Sequence, residues 1–234
     1  MASLFSALTP AEHDAVFLSL KVAAVATAVA LPLGVLVAWL LAKVRFPGRS
    51  IVSALVYLPL VLPPVVTGYA LLLAFGARGP LGQLLAPLGI VFAFRWTGAA
   101  LAAGVMGFPL MVRAIRLSIE AVDPRLEQAA ETLGARPVVR FLTVPLPLAL
   151  PGVAAGAVLA FAKAMGEFGA TITFVANIPG ETQTIPSAIY SLIQTPGGEA
   201  GALRLLLISV AVSLGAVLVS EWMAAAAARR SAER

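Results

Sequence analysis

Lys163 and Glu167 stand four residues apart in an otherwise apolar stretch, a spacing that places an ammonium and a carboxylate on one face of a helix. Charges at membrane depth face a cavity or a partner, because exposing them to lipid is costly. A divalent anion is drawn to Lys163 and repelled by Glu167, so the pair predicts a neutral structural or gate element rather than a tight anion site. The stretch Leu62-Pro63-Pro64-Val65-Val66-Thr67-Gly68 is the other place where polar groups enter an apolar stretch. Pro63 and Pro64 free backbone carbonyls inside a span, and Thr67 adds a hydroxyl there. A kink that serves packing alone fits the same residues. Other reactive groups are scarce: His13 is the one histidine and cysteine is absent, which leaves no zinc cluster, disulfide or thiol nucleophile.

A third group of residues lies in the least membrane-like stretch, Ser118 to Pro145. Asp123 is a good N-cap, Pro124 a good first-turn residue and Glu127 suits the positive end of a helix dipole, so a short helix is expected from Pro124 to Leu133, stopped by Gly134. Leu126, Ala129, Ala130 and Leu133 share one face, with Arg125, Gln128, Glu131 and Thr132 more exposed. Pro137 opens a second short helix. The segment is either a loop helix resting on the membrane or a docking element, in which small alanines allow close approach and a glycine forms a tight elbow.

These groups must be held by helices in lipid. Of 234 residues 60% are hydrophobic and 12% charged, with a mean hydropathy of +0.98. A soluble domain of that size could not hide so much apolar side chain. Some twenty residues at 1.5 Å each cross a hydrocarbon core of about 30 Å. Five spans meet this length: Val16 to Leu41, Ile51 to Phe75, Thr97 to Leu117, Leu146 to Phe168 and Ala202 to Ala225. Leu84 to Phe94 and Ile185 to Ile193 are shorter pieces that lie at, or dip into, the outer face. Thr9-Pro10-Ala11-Glu12 reads as a capping box at the start of the first helix. No basic residue precedes the first apolar stretch as in a secretory signal, so that stretch is expected to be retained.

The basic residues orient this arrangement. With the N-terminus outside and the C-terminus cytoplasmic, Lys43, Arg45, Arg49, Arg113, Arg116, Arg125, Arg136, Arg140, Arg229, Arg230 and Arg234 fall inside, eleven of the sixteen. Arg78, Arg95, Arg204 and Lys21 fall toward the outside, in keeping with the positive-inside rule. A sixth span at Ile185 to Ile193 would move the basic tail outside. The net charge of +5 lies in loop clusters without aromatic interleaving, which excludes a nucleic-acid groove.

The loop resembles that of the membrane-spanning permease subunits of bacterial ATP-binding-cassette importers. Their pattern is E-A-A, three residues, G, nine residues, then I-x-L-P. Here it reads Gln128-Ala129-Ala130, Glu131-Thr132-Leu133, Gly134, nine residues, then Val144-Pro145-Leu146-Pro147. Gln replaces the first Glu, and Glu127 stands one residue early. Phe46-Pro47-Gly48-Arg49, Leu58 to Gly68 and Gly166 to Thr171 resemble the molybdate and sulfate branch, and Asn177 to Pro186 with Ala188-Ile189-Tyr190 resembles molybdate permeases in particular. The resemblance covers nearly the whole chain. It implies an all-α integral membrane protein with the type I importer permease fold, one transmembrane domain over residues 1–234 and a cytoplasmic coupling-helix loop at 118–145. Five spans match family members without the additional N-terminal helix of six-span ones.

The resemblance further implies a homodimer in the bacterial inner membrane that imports molybdate, without catalysis by this chain. Two copies of a cytoplasmic ATPase subunit would bind ATP and Mg and seat Gln128, Ala129, Ala130 and Gly134 in a groove; no cofactor is expected in this chain. A periplasmic or extracellular molybdate-binding protein would deliver substrate, with Pro179 to Pro186 either its docking surface or a solvated loop. The chain has no G-x-x-x-x-G-K-S/T pattern of its own. Sulfate, thiosulfate or tungstate import by the same machine is the alternative substrate reading. A membrane scaffold or membrane-embedded enzyme is the alternative class, the latter needing a convergent set of His, Asp or Lys that one Lys–Glu pair barely supplies.

Overall fold

The computed structural model describes residues 8–232, with side chains described to Val219 and at Trp222. Within them the regular elements are helices. Thr9 and Glu12 form the expected reciprocal cap: the Glu12 amide donates to the Thr9 hydroxyl at 3.3 Å, and the Thr9 amide to Glu12 Oε2 at 2.9 Å. They start α1 (Pro10–Lys43), whose 34 residues measure about 51 Å and so reach past the hydrocarbon at both ends. Three other helices are long and apolar enough to cross: α5 (Trp96–Glu120), α8 (Pro145–Met165) and α11 (Glu199–Ala232), the last over Glu199–Val219.

The expected second span is not one straight rod. It is α2 (Arg49–Val61) followed by α3 (Pro64–Phe75), bent by 116° at Leu62 and Pro63. Two adjacent prolines supply no amide for the ladder, and Pro64 takes the first position of a new helix where the missing donor costs nothing. Neither half, at about 18–20 Å, crosses a 30 Å core alone. The expected fourth span also ends early. It stops at Met165, residues 166–168 break it, and α9 (Gly169–Val175) follows.

The shorter pieces are α4 (Pro80–Leu85) with a 3-10 turn over Ala86–Leu88, and α10 (Ile185–Ile193). The latter is fastened rather than loose. Thr184 and Ser187 cap it reciprocally, and the Ile185 amide donates to Ser19 of α1 at 2.7 Å. Thr182, Thr184 and Ser187 are buried, whereas Pro179, Gly180 and Glu181 are exposed.

Helix α5 is the centre of the bundle, packed between α1 and α8. Its buried face is Ala99, Ala102, Ala103, Met106, Val112 and Ile115, joined by Gly98 and Gly107. Small residues are what lipid-embedded helices need for close approach, since no hydrophobic force draws one apolar rod to another. At Gly152 of α8, a methyl group would overlap the Ser118 side chain of α5. By contrast α2 buries no residue, and an apolar cleft of about 610 Å³ opens between it, α1 and α5.

Gly152→Ala should therefore overpack the α5–α8 seam and cost about 1–3 kcal/mol. Gly215→Ala, whose methyl group meets open space on α11, should leave stability unchanged or raised. Thermal unfolding of the purified chain in detergent compares the two, and equal midpoints would contradict this seam.

Candidate functional site

The two interrupted spans meet each other. Pro63 and Pro64 start α3, and Gly68, one turn further on, lies against Ala170 of α9; a Cβ built on Gly68 would stand 2.5 Å from the Ala170 carbonyl oxygen. Gly169 abuts Pro64 in the same way, with a built Cβ at 2.7 Å from the Pro64 Cβ. Thr67 is buried in this region and its hydroxyl has no hydrogen-bond partner. The sequence presented Pro63, Pro64 and Thr67 in one candidate break and Lys163 and Glu167 in another. The structure makes one joint of the two breaks.

Glu167 organises its side of the joint. Its Oε2 lies 2.7 Å from Lys163 Nζ, and its Oε1 accepts the Ala170 amide at 2.9 Å. Thr171 donates its hydroxyl to the Phe168 carbonyl at 2.9 Å. The carboxylate thus neutralises an ammonium and caps the first turn of α9 at once. The expected pairing at four-residue spacing forms, with Lys163 in the last turn of α8 and Glu167 two residues beyond its end, where the Glu167 amide still donates to the Ala164 carbonyl at 3.2 Å. Only 1% of the Glu167 side chain is exposed, against 30% for Lys163.

At one end of the bundle lie α6 (Pro124–Thr132) and α7 (Pro137–Thr143), close to the predicted bounds. Asp123 accepts the Arg125 amide at 2.9 Å as the N-cap. Gly134, at φ +82°, closes α6: the Gly134 amide donates to the Glu131 carbonyl at 2.9 Å and the Ala135 amide to the Ala130 carbonyl at 3.1 Å. This paired closure needs a left-handed residue, which glycine supplies without a Cβ penalty.

The facing of α6 differs from the sequence expectation. Leu126, Ala129 and Leu133 are exposed together with Gln128, and Leu133 reaches 88% exposure. Arg125, Gln128, Glu131 and Thr132 are exposed as expected. The inward contact is ionic: Glu127 pairs with Lys43 of α1 at 2.6 Å, while Glu131, 66% exposed, reaches Arg140 of α7 at 2.7 Å. Those tethers hold the helix with its leucines outward. They also decide the role of Glu127, which faces Lys43, while Gln128 at the motif position faces out.

The opposite end carries a contact that sequence reasoning missed. Arg204 of α11 and Glu12 of α1 pair at 2.6 Å, with side chains 13% and 6% exposed. In sequence Arg204 is a charge on the outer side and Glu12 a capping residue. Nothing in the local pattern joins residues so far apart in sequence.

A model of the family described as "Binding-protein-dependent transport system inner membrane component" matches residues 30–231. The chain is 60% identical over 218 residues to the molybdenum transport system permease protein ModB of Escherichia coli strain K12, covering 93% of this chain and 95% of that one. It is 55% identical over 213 residues to ModB of Haemophilus influenzae, with coverages of 91% and 93%. Among solved structures, a bacterial ABC transporter involved in the import of the acidic polysaccharide alginate superposes with a TM-score of 0.73 at 19% identity, over 95% of this chain and 81% of that one. The last likeness bears on the fold, which is that of the type I importer permeases.

Lys163→Met leaves the enclosed Glu167 carboxylate without its cation and should cost about 2–3 kcal/mol, below the value for a fully buried pair because Lys163 is partly exposed. Adding Glu167→Gln removes the stranded charge and keeps an acceptor for the Ala170 amide, so the double variant should recover at least half of that loss. Thermal unfolding of both variants in detergent is the measurement; a double variant as unstable as the single one would remove the ion pair from the joint.

Proposed function

Since the chain belongs to the family of inner membrane components of binding-protein-dependent transport systems, we propose that it is the permease subunit of an ATP-driven molybdate importer. The observation that carries this reading is the α6–Gly134–α7 elbow, with Gln128, Ala129, Leu126 and Leu133 presented outward on a helix tethered from behind. Exposed leucines on a short polar helix mark a surface that another protein covers. The choice of molybdate rests on 60% identity to the E. coli molybdenum permease across nearly the whole chain.

In this reading the chain catalyses nothing. Two copies of a cytoplasmic ATPase subunit bind ATP and Mg, and their grooves receive Gln128, Ala129, Ala130 and Gly134. The N-terminus lies outside and the C-terminus in the cytoplasm, so the 118–145 loop meets the ATPase, and the Glu12–Arg204 end faces the molybdate-binding protein. A second copy completes the pathway. One copy has a close-packed centre at α5 and a lightly packed flank at α2, so a polar route lies between copies better than within one. ATP-driven closure of the ATPase pair pushes the elbows as rigid bodies, and the spans rock between outward- and inward-facing arrangements. Pro63, Pro64, Thr67, Lys163 and Glu167 line or brace the path, the neutral Lys163–Glu167 pair letting a dianion pass without being held.

Sealed vesicles containing this chain, its ATPase and the binding protein should take up molybdate only with ATP. Gly134→Leu forces a left-handed backbone on a residue with a Cβ, although the space around it is open. It should lose most of the uptake while the chain stays inserted and folded. Unchanged uptake would defeat the docking assignment, and uptake of sulfate in preference to molybdate would move the substrate to the sulfate reading.

A further inference from the structure

Helix α6 is joined along the chain to α5 and, through α7, to α8, and it has no covalent neighbour in α1 or α2. Lys43 of α1 nevertheless meets Glu127 of α6 at 2.6 Å, with side chains only 22% and 17% exposed. The same end of α1 is bound to the start of α2, where the Arg49 guanidinium donates to the Leu41 carbonyl. Helix α2 then runs to the Leu62–Pro63 bend, and α3 beyond it seats on α9 at Gly68 and Ala170. A contiguous set of contacts therefore runs from α6, by way of Lys43, to the joint of the two broken spans.

We infer that Lys43 is a positioning residue for transport: its ion pair with Glu127 hands the displacement of α6 to the α1–α2 corner, and so to the jointed half-spans. This rests on the reading of α6 as the element that an ATPase pushes. Without the pair, α2 would follow α5 through apolar contact and the single polar contact of Tyr57 with Arg116, and α2 buries no residue to resist sliding. An ion pair at this distance resists separation of α6 from the end of α1, whereas apolar surfaces slide with little change in contact. The pair also fixes the roll of α6. With Glu127 drawn inward, Gln128, Leu126 and Leu133 are left facing out. A freed α6 could still dock, but its movement would reach the bend at Pro63 only by the longer route through α5, α8 and α9.

The consequence is a partial separation of ATP hydrolysis from import. The test reconstitutes the permease with its ATPase and the molybdate-binding protein and reads two quantities, the amount of ATPase that co-purifies with the permease and the molybdate imported per ATP hydrolysed. Lys43→Met and Glu127→Gln should co-purify with ATPase as the parent does, while import per ATP falls roughly threefold to fivefold, the scale of a partly exposed ion pair. Lys43→Arg should retain the parental ratio, and the double variant should be no worse than either single one, because both delete the same contact. A parental ratio in Lys43→Met, a loss in Lys43→Arg equal to that in Lys43→Met, or additive losses in the double variant would each overturn the inference. If the parent permease itself fails to co-purify with the ATPase, the docking reading fails and takes the inference with it.

Discussion

In hydrocarbon no water is present to satisfy a backbone amide or carbonyl, and that constraint shapes the molecule wherever a helix is interrupted. Four long helices meet it internally. The breaks at Leu62–Pro63 and at residues 166–168 cannot, and the chain answers by setting one against the other. Gly68 and Gly169 let two backbones touch where any side chain would hold them apart. Glu167 takes the Ala170 amide that the end of α8 and the start of α9 would leave open. Two defects that would each be costly in lipid become one packed joint.

Around that joint the forces divide by depth. The middle of the bundle is held by small-residue packing along α5, and its two ends by charge. Glu12 and Arg204 fasten α1 to α11 at one end, Lys43 and Glu127 fasten α1 to α6 at the other, and Arg140 holds Glu131 beside them. Ion pairs suit the ends because the water there lowers the cost of bringing two charges together, while the limited exposure of the Glu12–Arg204 and Lys43–Glu127 pairs keeps salt from screening those two fully. Helix α1 is thus pinned at both extremities, and what moves one end of it must move the other.

Much of this was legible in the residues. Thr9 and Glu12 announced the start of α1, and Asp123, Pro124 and Gly134 announced both ends of α6, because caps and left-handed stops are local chemistry. The long spans followed from composition. What escaped was of two kinds. The prolines at 63 and 64 predicted a break but not a 116° bend, since the angle is set by where α3 finds its partner in α9. The facing of α6 is not legible in sequence, because periodicity alone turns its leucines inward. Here Lys43 and Arg140, distant in sequence or beyond the elbow, hold the acidic residues instead, and no window along the helix contains Lys43.

The chemistry of the joint fits a conduit better than a receptor. A site that held a dianion tightly would leave Lys163 without a counter-charge, and release would then have to overcome that attraction at every cycle. On the proposed path Glu167 would remove the attraction before the ion arrives, and its second oxygen, committed to the Ala170 amide, keeps it from swinging away from Lys163. In that reading selectivity is exercised before the membrane is reached, and the work of transport comes from elsewhere. An outward-facing pair of leucines at the α6–Gly134–α7 elbow, braced from behind by ion pairs, is the kind of surface through which such work can enter.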